Sequence, residues 1–412
     1  MTLPLTPDRR RCIAVVAGPD PGHAFPAFAL AVALHEAGHR VVVSSGDRWA
    51  DGVRRSGPEF VALPQLHVDP RDADLGFRFW GRGREMAPAL AELLSSYAPD
   101  LVVADAITVP GWFAADLLGV PRVELIATTL QDPSKHLPPP GCGLLPGTTP
   151  LTRLRDAWLR RTAAAAQAQG RAQCAEARLS LGLPADGPPA LRLVATLPAL
   201  ELPRADWPAD THLVGPLVWE PEEPELALPE GDRPLVLVAD SSAAGERTRG
   251  LLDLAIEVLP RAGLRVLGTR LGAAPLQRPG VSVGPGSHSA LLRRVDAVVL
   301  PGGMGLLGKA LAAGKPLVVV PGPGDQRDNA VRVVALGAGV LVEPSQLDAA
   351  SLLAAVRRVL STASYADAAA RIAASGAGLG AARAVEHVER LLAGVRARAS
   401  GGRSGAPDRR TR

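Results

Sequence analysis

The segment from 298 to 329, VVLPGGMGLLGKALAAGKPLVVVPGPGDQRDN, constrains the fold of this chain more than any other stretch. An apolar run stops at a turn that begins with Pro301, a helix-forming run stops at Gly314, and a second apolar run stops at Pro321. Strand, turn, helix and strand make one βαβ unit, which needs roughly 30 residues. Because such units build parallel sheets, the segment predicts an α/β fold.

Three glycines, Gly302, Gly303 and Gly305, open the helix of this unit. Glycine lets the backbone turn tightly and approach a ligand, and a helix N-terminus presents unpaired N–H groups and a positive dipole end. The turn therefore suits an anion, with phosphate as the first choice, although three glycines alone favour a turn without a ligand. Asp325 and Gln326 follow the second strand, at the carboxyl edge where open parallel sheets bind ligands, and they shift the balance towards a ligand site.

The first half of the chain opens on a second βαβ pattern. A short apolar strand at 13–17 leads into a loop that contains His23, then into a helix to about residue 37 and a strand at 40–44. The positive end of a helix dipole disfavours imidazolium, so a neutral histidine that accepts a proton is expected at this place. A lone histidine in a loop is more often an ordinary surface residue.

The motifs of both halves resemble one family. The segments 301–305, 310–316 and 325–330 resemble the donor-binding signature of the family that contains UDP-glucuronosyltransferases, plant secondary-metabolite glycosyltransferases and bacterial macrolide glycosyltransferases. The segments 22–39 and 99–121 resemble the opening motif of that family and its aspartate-bearing strand. The resemblance covers nearly the whole chain. It implies the GT-B architecture, in which two doubly wound Rossmann-like domains face each other across a cleft.

The resemblance also implies a chemistry. In this family the first histidine of the opening motif is the general base, which gives that role to His23 and a structural role at a helix end to His39. Asp105 matches the carboxylate that fixes the tautomer of the base, and such a partner explains an otherwise costly buried aspartate. The implied activity is an inverting transfer of a sugar from a nucleotide diphosphate sugar, dTDP- or UDP-linked, to a hydroxyl of a small apolar natural product. We expect no metal and no other cofactor, because no carboxylate pair has metal-ligand spacing.

Four positions depart from the donor signature of the family. Pro301 replaces the histidine that contacts the diphosphate, and Leu306 replaces a threonine or serine. Lys309 replaces the glutamate that accepts both ribose hydroxyls, and Pro285 falls where a tryptophan stacks on the nucleobase. Lys309 would return a positive charge to the site if its side chain reached the cleft, although lysine more often lies on a solvated helix face, which we place first.

The strand at 235–239 ends near Ser241 and Ser242, either of which would donate to a phosphate or cap the next helix. Capping is slightly favoured. The donor-binding residues predicted from the sequence are Ser241, Ser242, Gly302, Gly303, Gly305, Lys309, Asp325 and Gln326.

Two alternatives to sugar transfer stay open. In one, the chain is a pseudo-glycosyltransferase that serves as an auxiliary or binding protein. In the other, a GT-B enzyme uses the histidine and aspartate for a different reaction without a nucleotide sugar. An open cleft would favour transfer, whereas a cleft filled by Met304 or Leu306 would favour the alternatives.

Aromatic residues are scarce, at 3% of the chain, yet several cluster in the first half. Phe79, Trp80 and Trp112 are predicted to bind an apolar acceptor such as a polyketide or an aromatic aglycone. Filling of the core is an equally good explanation for them.

Composition marks an acidic and proline-rich linker (216–234) and a basic tail (396–412) that is expected to be disordered. The resemblance implies an N-terminal acceptor-binding domain (1–215) before the linker and a C-terminal donor-binding domain (235–395) after it. The tail carries most of the excess positive charge, so the body is close to neutral and no nucleic-acid partner is expected.

The remaining expectations concern the surroundings of the protein. No apolar run reaches the roughly 20 residues of a membrane span, and no signal peptide is evident. The chain has 3 cysteines, which are scattered and fit a reducing compartment, so the cytoplasm is expected. A small-molecule acceptor is the expected partner, with a homodimer or an auxiliary protein as further candidates.

Overall fold

The computed structural model describes residues 10–240, 250–270, 275–322 and 324–401. Within these residues the chain forms two sheets of parallel strands that carry helices on their faces. The strands are β1 (Cys12–Val16), β2 (Arg40–Ser45), β3 (Glu59–Ala62), β4 (Leu101–Asp105), β5 (Arg122–Ile126), β6 (Leu191–Val194), β7 (Thr211–Leu213), β8 (Leu235–Ala239), β9 (Arg265–Thr269), β10 (Leu276–Arg278), β11 (Val281–Gly284), β12 (Ala297–Leu300), β13 (Leu317–Val319) and β14 (Gly339–Leu341).

The helices follow the same alternation. They are α1 (Pro21–Glu36), α2 (Ala50–Arg55), α3 (Arg82–Ser95), α4 (Val109–Leu118), α5 (Pro150–Ser180), α6 (Leu251–Arg261), α7 (His288–Leu292), α8 (Met304–Ala312), α9 (Gln326–Ala335), α10 (Ala349–Ser361), α11 (Ala363–Ser375) and α12 (Ala381–Gly401). No helix in the described ranges is long and apolar enough to cross a bilayer.

The first sheet has the strand order β3-β2-β1-β4-β5-β6-β7, and all its pairs are parallel. The order reverses direction between β1 and β4. In open α/β sheets, ligands bind outside the carboxyl ends of the two strands that flank such a reversal. The sequence places α1 directly after β1 and Asp105 at the end of β4, so this reversal is where the first half-site must form.

The second sheet repeats the plan, with the order β10-β11-β9-β8-β12-β13-β14. Only β10 among its described strands is antiparallel to its neighbour. The reversal lies between β8 and β12, and β12 leads into the glycine turn before α8. Two doubly wound sheets of this kind confirm the α/β fold and the pair of Rossmann-like domains predicted from the sequence.

The expected linker, 216–234, lies between the last strand of the first sheet and β8, and it contains no helix or strand. The final helix, α12, returns to the first domain, where Val388 and Leu392 join the same apolar core as Leu30 and Leu34 of α1. This helix continues to Gly401, beyond residue 396 where the predicted tail begins. Alanine and arginine, which dominate that part of the sequence, are strong helix formers. The rest of the predicted tail, 402–412, lies outside the described residues.

A pair of stacked histidines fastens α12 to the edge of the first sheet. The rings of His212 on β7 and His387 on α12 lie 4.1 Å apart between centroids, at 23°. Burial and the neighbouring His212 lower the pKa of His387 to about 4, and burial and Arg390 lower the pKa of His212. Both rings are therefore neutral near pH 7.

This pair predicts a loss of stability in mild acid. Because the unfolded chain binds protons at these histidines below about pH 6.5 while the folded chain resists them, the free energy of unfolding should fall as the pH drops from there towards 4. We expect His387→Phe, which keeps an aromatic ring against His212, to lose less stability than the unmodified protein between about pH 7.5 and about pH 5. Urea unfolding at both pH values measures this difference. An equal loss in both proteins would show that other groups cause the acid sensitivity.

Candidate active site

His23 and Asp105 meet at the reversal of the first sheet. Helix α1 begins with Pro21 after Asp20, a good arrangement for a helix start, and this places His23 in its first turn. The His23 Nδ1 atom lies 2.8 Å from Asp105 Oδ1. Because a carboxylate can only accept there, Nδ1 carries the proton and Nε2 keeps its lone pair. The pairing that was predicted from the sequence is therefore present in the structure.

The Asp105 carboxylate is completely buried, and both of its oxygen atoms accept hydrogen bonds. Its Oδ2 atom accepts from the Thr108 hydroxyl at 2.8 Å and from the Ile107 N–H at 3.3 Å. The Thr108 hydroxyl accepts in turn from the Gly18 N–H, at 2.8 Å, and Gly18 follows β1. This chain of hydrogen bonds joins the ends of β1 and β4, so the carboxylate cannot turn away from His23.

The electrostatic surroundings of His23 favour its charged form. Burial lowers the pKa of His23, but Asp105, with smaller contributions from Asp20 and Asp325, raises it, and the pKa lies above its ordinary value of 6.5. The helix dipole alone predicted a neutral ring. The nearby carboxylates more than offset the effect of burial, so the pKa of His23 is raised, which the dipole argument did not predict.

The glycine turn of the second domain faces this pair. Gly302 has φ 94°, a backbone conformation that glycine adopts without strain, and a Cβ atom there would lie 2.9 Å from the Gln326 carbonyl oxygen. Helix α8 begins after Gly303, and no side chain caps its first turn. A Cβ atom on Gly305 would lie 3.7 Å from Gly22 Cα, so the N-terminal ends of α8 and α1 face each other across the cleft.

Asp325 and Gln326 lie beside the glycine turn, each in a fixed position. Asn329 donates through its side-chain amide to the Gly302 carbonyl at 3.0 Å and to Asp325 Oδ2 at 3.1 Å. Burial raises the pKa of Asp325, and the charge of His23 opposes this shift from across the cleft. The Gln326 Oε1 atom accepts from the Gly322 N–H at 2.9 Å. Asp325 is therefore near both half-sites, whereas the amide oxygen of Gln326 supports the loop.

Lys309 is neither solvated nor directed at the glycine turn. Its side chain is 12% exposed, and Nζ lies 2.7 Å from Glu220 Oε1 in the linker. The preference for a solvated helix face, taken from the usual behaviour of lysine, is therefore wrong. The contact between Lys309 and Glu220 could not be predicted from the composition of the linker, because an acidic, proline-rich stretch predicts exposed glutamates.

Two further expectations bear on the donor side. Ser241 and Ser242 lie outside the described residues. The Met304 side chain is 7% exposed and belongs to the core of the second sheet, where Leu306 also packs in part. Gly305 is exposed on the cleft side of the same turn. Met304 therefore belongs to the core, while Leu306, the other residue named in the condition that favours the alternatives to transfer, packs there only in part.

The aromatic residues predicted to bind the acceptor include one, Trp112, that contacts Asp105. Trp112 on α4 donates its indole N–H to the Asp105 carbonyl at 3.2 Å, and its ring lies edge-on to Trp80, with centroids 6.2 Å apart. Phe79 and Trp80 belong to a π-helical turn before α3, a feature that is frequent at functional sites. All three side chains are half-buried against a core that includes Phe113. All three contribute to that core and stay partly exposed, and Trp112 does so beside Asp105.

Sequence reasoning missed Glu124, a buried acid on the strand next to β4. Glu124 pairs in register with Ala104, and its carboxylate lies 3.4 Å from Arg192. Burial raises the pKa of Glu124 to about 7 against the opposing charge of Arg192. A glutamate within the apolar run Arg122–Ile126 was the signal available in the sequence.

The loop between β5 and α5 of the first domain contacts α9 of the second domain. The backbone N–H groups of Gly141 and Gly143 donate to the Asp328 carboxylate of α9, at 2.7 and 2.6 Å. The Arg332 guanidinium of the same helix donates to the Thr129 hydroxyl. These contacts fix a loop of the first domain on the second.

Comparison with known proteins places this geometry in context. The family model for the C-terminal domain of proteins like erythromycin biosynthesis protein CIII matches residues 283–391. The chain is 30% identical over 388 residues to 4'-demethylrebeccamycin synthase of Lentzea aerocolonigenes, with 84% of this chain and 91% of that protein covered. It is 26% identical over 365 residues to the NDP-glycosyltransferase YjiC of Bacillus subtilis, with 85% and 89% covered.

A solved structure has the same fold. The glycosyltransferase SsfS6 of Streptomyces sp. SF2575, complexed with thymidine diphosphate, superposes with a TM-score of 0.68 at 24% identity, and the match covers 92% of this chain and 100% of that one. Both Rossmann-like domains are therefore shared, and YjiC and SsfS6 are glycosyltransferases by name.

Proposed function

This chain belongs to the GT-B family of natural-product glycosyltransferases, and from that membership we propose that it moves a sugar from a nucleotide diphosphate sugar to a hydroxyl of a small apolar natural product, with inversion at the anomeric carbon. The observation that carries the proposal is the His23–Asp105 pair, held at the reversal of the first sheet and facing the uncapped start of α8. Each half-site has one part of the chemistry that the transfer needs.

The reaction begins at the acceptor. His23 Nε2 takes the proton of the acceptor hydroxyl while Asp105 stabilises the imidazolium that forms. The acceptor oxygen attacks the anomeric carbon from the side opposite the diphosphate, a new C–O bond forms, and the bond to the diphosphate breaks with its electron pair. Attack from the opposite side inverts the configuration. Asp325, which lies near His23, is in place to accept hydrogen bonds from the sugar hydroxyls.

The leaving diphosphate gains negative charge as the bond breaks. Helix α8 offers it the free N–H groups of its first turn and its positive dipole end, and the glycines let the backbone come close. Pro301 and Leu306 supply no side-chain donor, so the backbone carries most of this stabilisation. Phe79, Trp80 and Trp112 would hold the apolar body of the acceptor.

Nucleotide binding tests the donor half of the proposal. Isothermal titration with dTDP, UDP and GDP should detect about micromolar binding of dTDP or UDP, with dTDP placed first because SsfS6 was crystallised with it. Gly305→Leu should weaken this binding at least tenfold, since its side chain would enter the gap towards Gly22. Gly394→Leu in α12 is the matched control, because Gly394 lies outside the donor-binding turn and a Cβ atom there meets nothing within 4 Å.

The same titration weighs a second candidate, a reaction of His23 and Asp105 without a nucleotide sugar. The observation that favours it is the ion pair of Lys309 with Glu220, which leaves the donor site without a lysine charge of its own. Absence of binding at millimolar concentration for all three nucleotides would overturn the transfer reaction and leave this candidate. Equal loss of binding in Gly394→Leu and Gly305→Leu would instead show that the loss does not come from the glycine turn.

A further inference from the structure

The dipeptide Trp219-Glu220 lies where the linker passes between the two domains, and its two side chains point to different domains. The Trp219 ring is 8% exposed and packs edge-on against Phe25 and Phe28 of α1, with centroid distances of 5.1 Å to each. Its indole N–H donates to the Ser56 hydroxyl at 3.1 Å. Trp219 is therefore part of the first domain.

Glu220 is part of the second domain. Its Oε1 atom lies 2.7 Å from Lys309 Nζ on α8, and its Oε2 atom accepts from the Ser287 hydroxyl and from the Ser289 N–H, the latter at 3.1 Å. The Glu220 and Lys309 side chains are each 12% exposed. A buried pair of this kind holds its position only when its other hydrogen bonds are satisfied, which the two serines provide.

The surroundings of the pair keep it charged and confined. Burial raises the pKa of Glu220, but Lys309, Ser287 and Ser289 together lower it more, to about 2, so the carboxylate is ionised at neutral pH. Burial and Lys309 lower the pKa of His288 to about 4, so that ring is neutral, and its Nε2 atom lies 2.9 Å from the Thr269 hydroxyl. Lys309 therefore has Glu220 as its counter-charge.

Trp219 and Glu220 are each anchored close to one part of the proposed active site, Trp219 near His23 and Glu220 near the glycine turn. Phe25, which holds Trp219, is two residues after His23 in α1, and the Lys309 ammonium lies 5.8 Å from the centre of the Phe25 ring. Lys309, which holds Glu220, is in the same short helix that starts at the glycine turn. The linker thus connects the helix that carries the base to the helix that faces the diphosphate.

We propose that Trp219 and Glu220, with Lys309, form an interdomain bridge that sets the distance between His23 and the glycine turn, and that these three residues act by positioning. The inference rests on the proposed transfer reaction for its effect on rate. In transfer between two bound substrates, a shift of about 1 Å between half-sites can cost about 10²-fold in rate. A bridge made of one aromatic anchor and one buried ion pair prevents such a shift.

Three variants separate positioning from direct donor binding: Glu220→Gln, Lys309→Gln and the two together. We expect each single variant to lower kcat by about 10-fold to 10²-fold, with the donor KM changed by less than about threefold. The double variant should recover much of kcat, because two amides can hydrogen-bond where a lone charge is left unpaired. Glu222→Gln is the matched control, since Glu222 is 83% exposed in the same linker and pairs with exposed Arg55.

A raised donor KM in Lys309→Gln, with kcat unchanged and no effect of Glu220→Gln, would overturn the bridge and make Lys309 a donor ligand. Rates in the double variant as low as the product of the two single effects would overturn it as well. Hydrogen exchange followed by mass spectrometry tests the bridge without any substrate. This test of the bridge therefore does not depend on the proposed transfer reaction. Glu220→Gln should raise exchange in segments 18–28 and 303–312 together, whereas a uniform rise over both domains would show general destabilisation and overturn the proposal.

Discussion

His23→Ala should lower kcat for sugar transfer by about 10²–10⁴-fold, the range that a positioned general base contributes. The acceptor hydroxyl would have to lose its proton to water, because the structure places no other histidine against Asp105 within the described residues. The His23 side chain is 23% exposed and makes one side-chain hydrogen bond, so the fold should survive its loss. Initial rates with saturating donor and acceptor measure the effect, and a thermal melt checks the fold.

The matched control is His35→Ala, an exposed histidine on the same helix. It should leave kcat within about twofold of the unmodified protein. A His23→Ala variant that keeps its rate would place the base elsewhere, with Glu124 as the next group to test, since the pKa of that buried acid is raised to about 7. A loss of rate with normal nucleotide binding would put the defect on the acceptor side, where the proposal has it.

Much of this fold is readable in the sequence because each local signal agrees with the global plan. The apolar runs at β1, β4, β8 and β12 are short, bounded by turn residues and buried throughout their length or nearly so. Continuous apolar runs of this kind are typical of strands in parallel sheets, which are covered on both faces. His23 and Asp105 were also accessible, since the carboxyl ends of parallel strands meet at one edge and each residue follows or ends such a strand.

The contacts that the linker makes with the two domains could not be predicted from the sequence. Glu220 and Lys309 are 89 residues apart, and nothing in their local sequences distinguishes them from solvated charges. The pairing depends on how the linker passes over α8, which is a tertiary property. Trp219 illustrates the same limit, because a single tryptophan in a proline-rich stretch does not reveal that it packs on Phe25 and Phe28.

The pKa of His23 could be predicted only in part, for a related reason. The helix dipole is a local property and predicted a neutral ring. The Asp105 carboxylate, 82 residues away in sequence, and Asp325 from the other domain both raise the pKa, and together with Asp20 they more than offset the effect of burial. Local sequence therefore identified the base, while its strength depends on tertiary contacts that bring Asp105 and Asp325 near the ring.

Asp105→Asn should lower kcat by about 10²–10⁴-fold, because the amide can donate to Nδ1 and so favours the tautomer in which Nε2 carries the proton and cannot act as a base. The pH profile should change as well. Since Asp105 raises the pKa of His23 and the base must be neutral, kcat/KM of the unmodified protein should fall as the pH drops through a value above 6.5. In Asp105→Asn burial still lowers the pKa of His23, but the carboxylate that raises it is gone. The fall in kcat/KM should therefore occur at a lower pH than in the unmodified protein.

Thr108→Val separates the effect of the Asp105 charge from the effect of the hydrogen bond that holds the Asp105 carboxylate in position. It removes the hydroxyl that donates to Asp105 Oδ2 at 2.8 Å but keeps the carboxylate. We expect a smaller loss of kcat, about tenfold, and an acidic limb close to that of the unmodified protein, because the charge beside His23 is retained. An acidic limb that stays in place in Asp105→Asn would show that Asp105 does not set the basicity of His23. If instead Thr108→Val moved the limb as far as Asp105→Asn, the position of the carboxylate, more than its charge, would control the base.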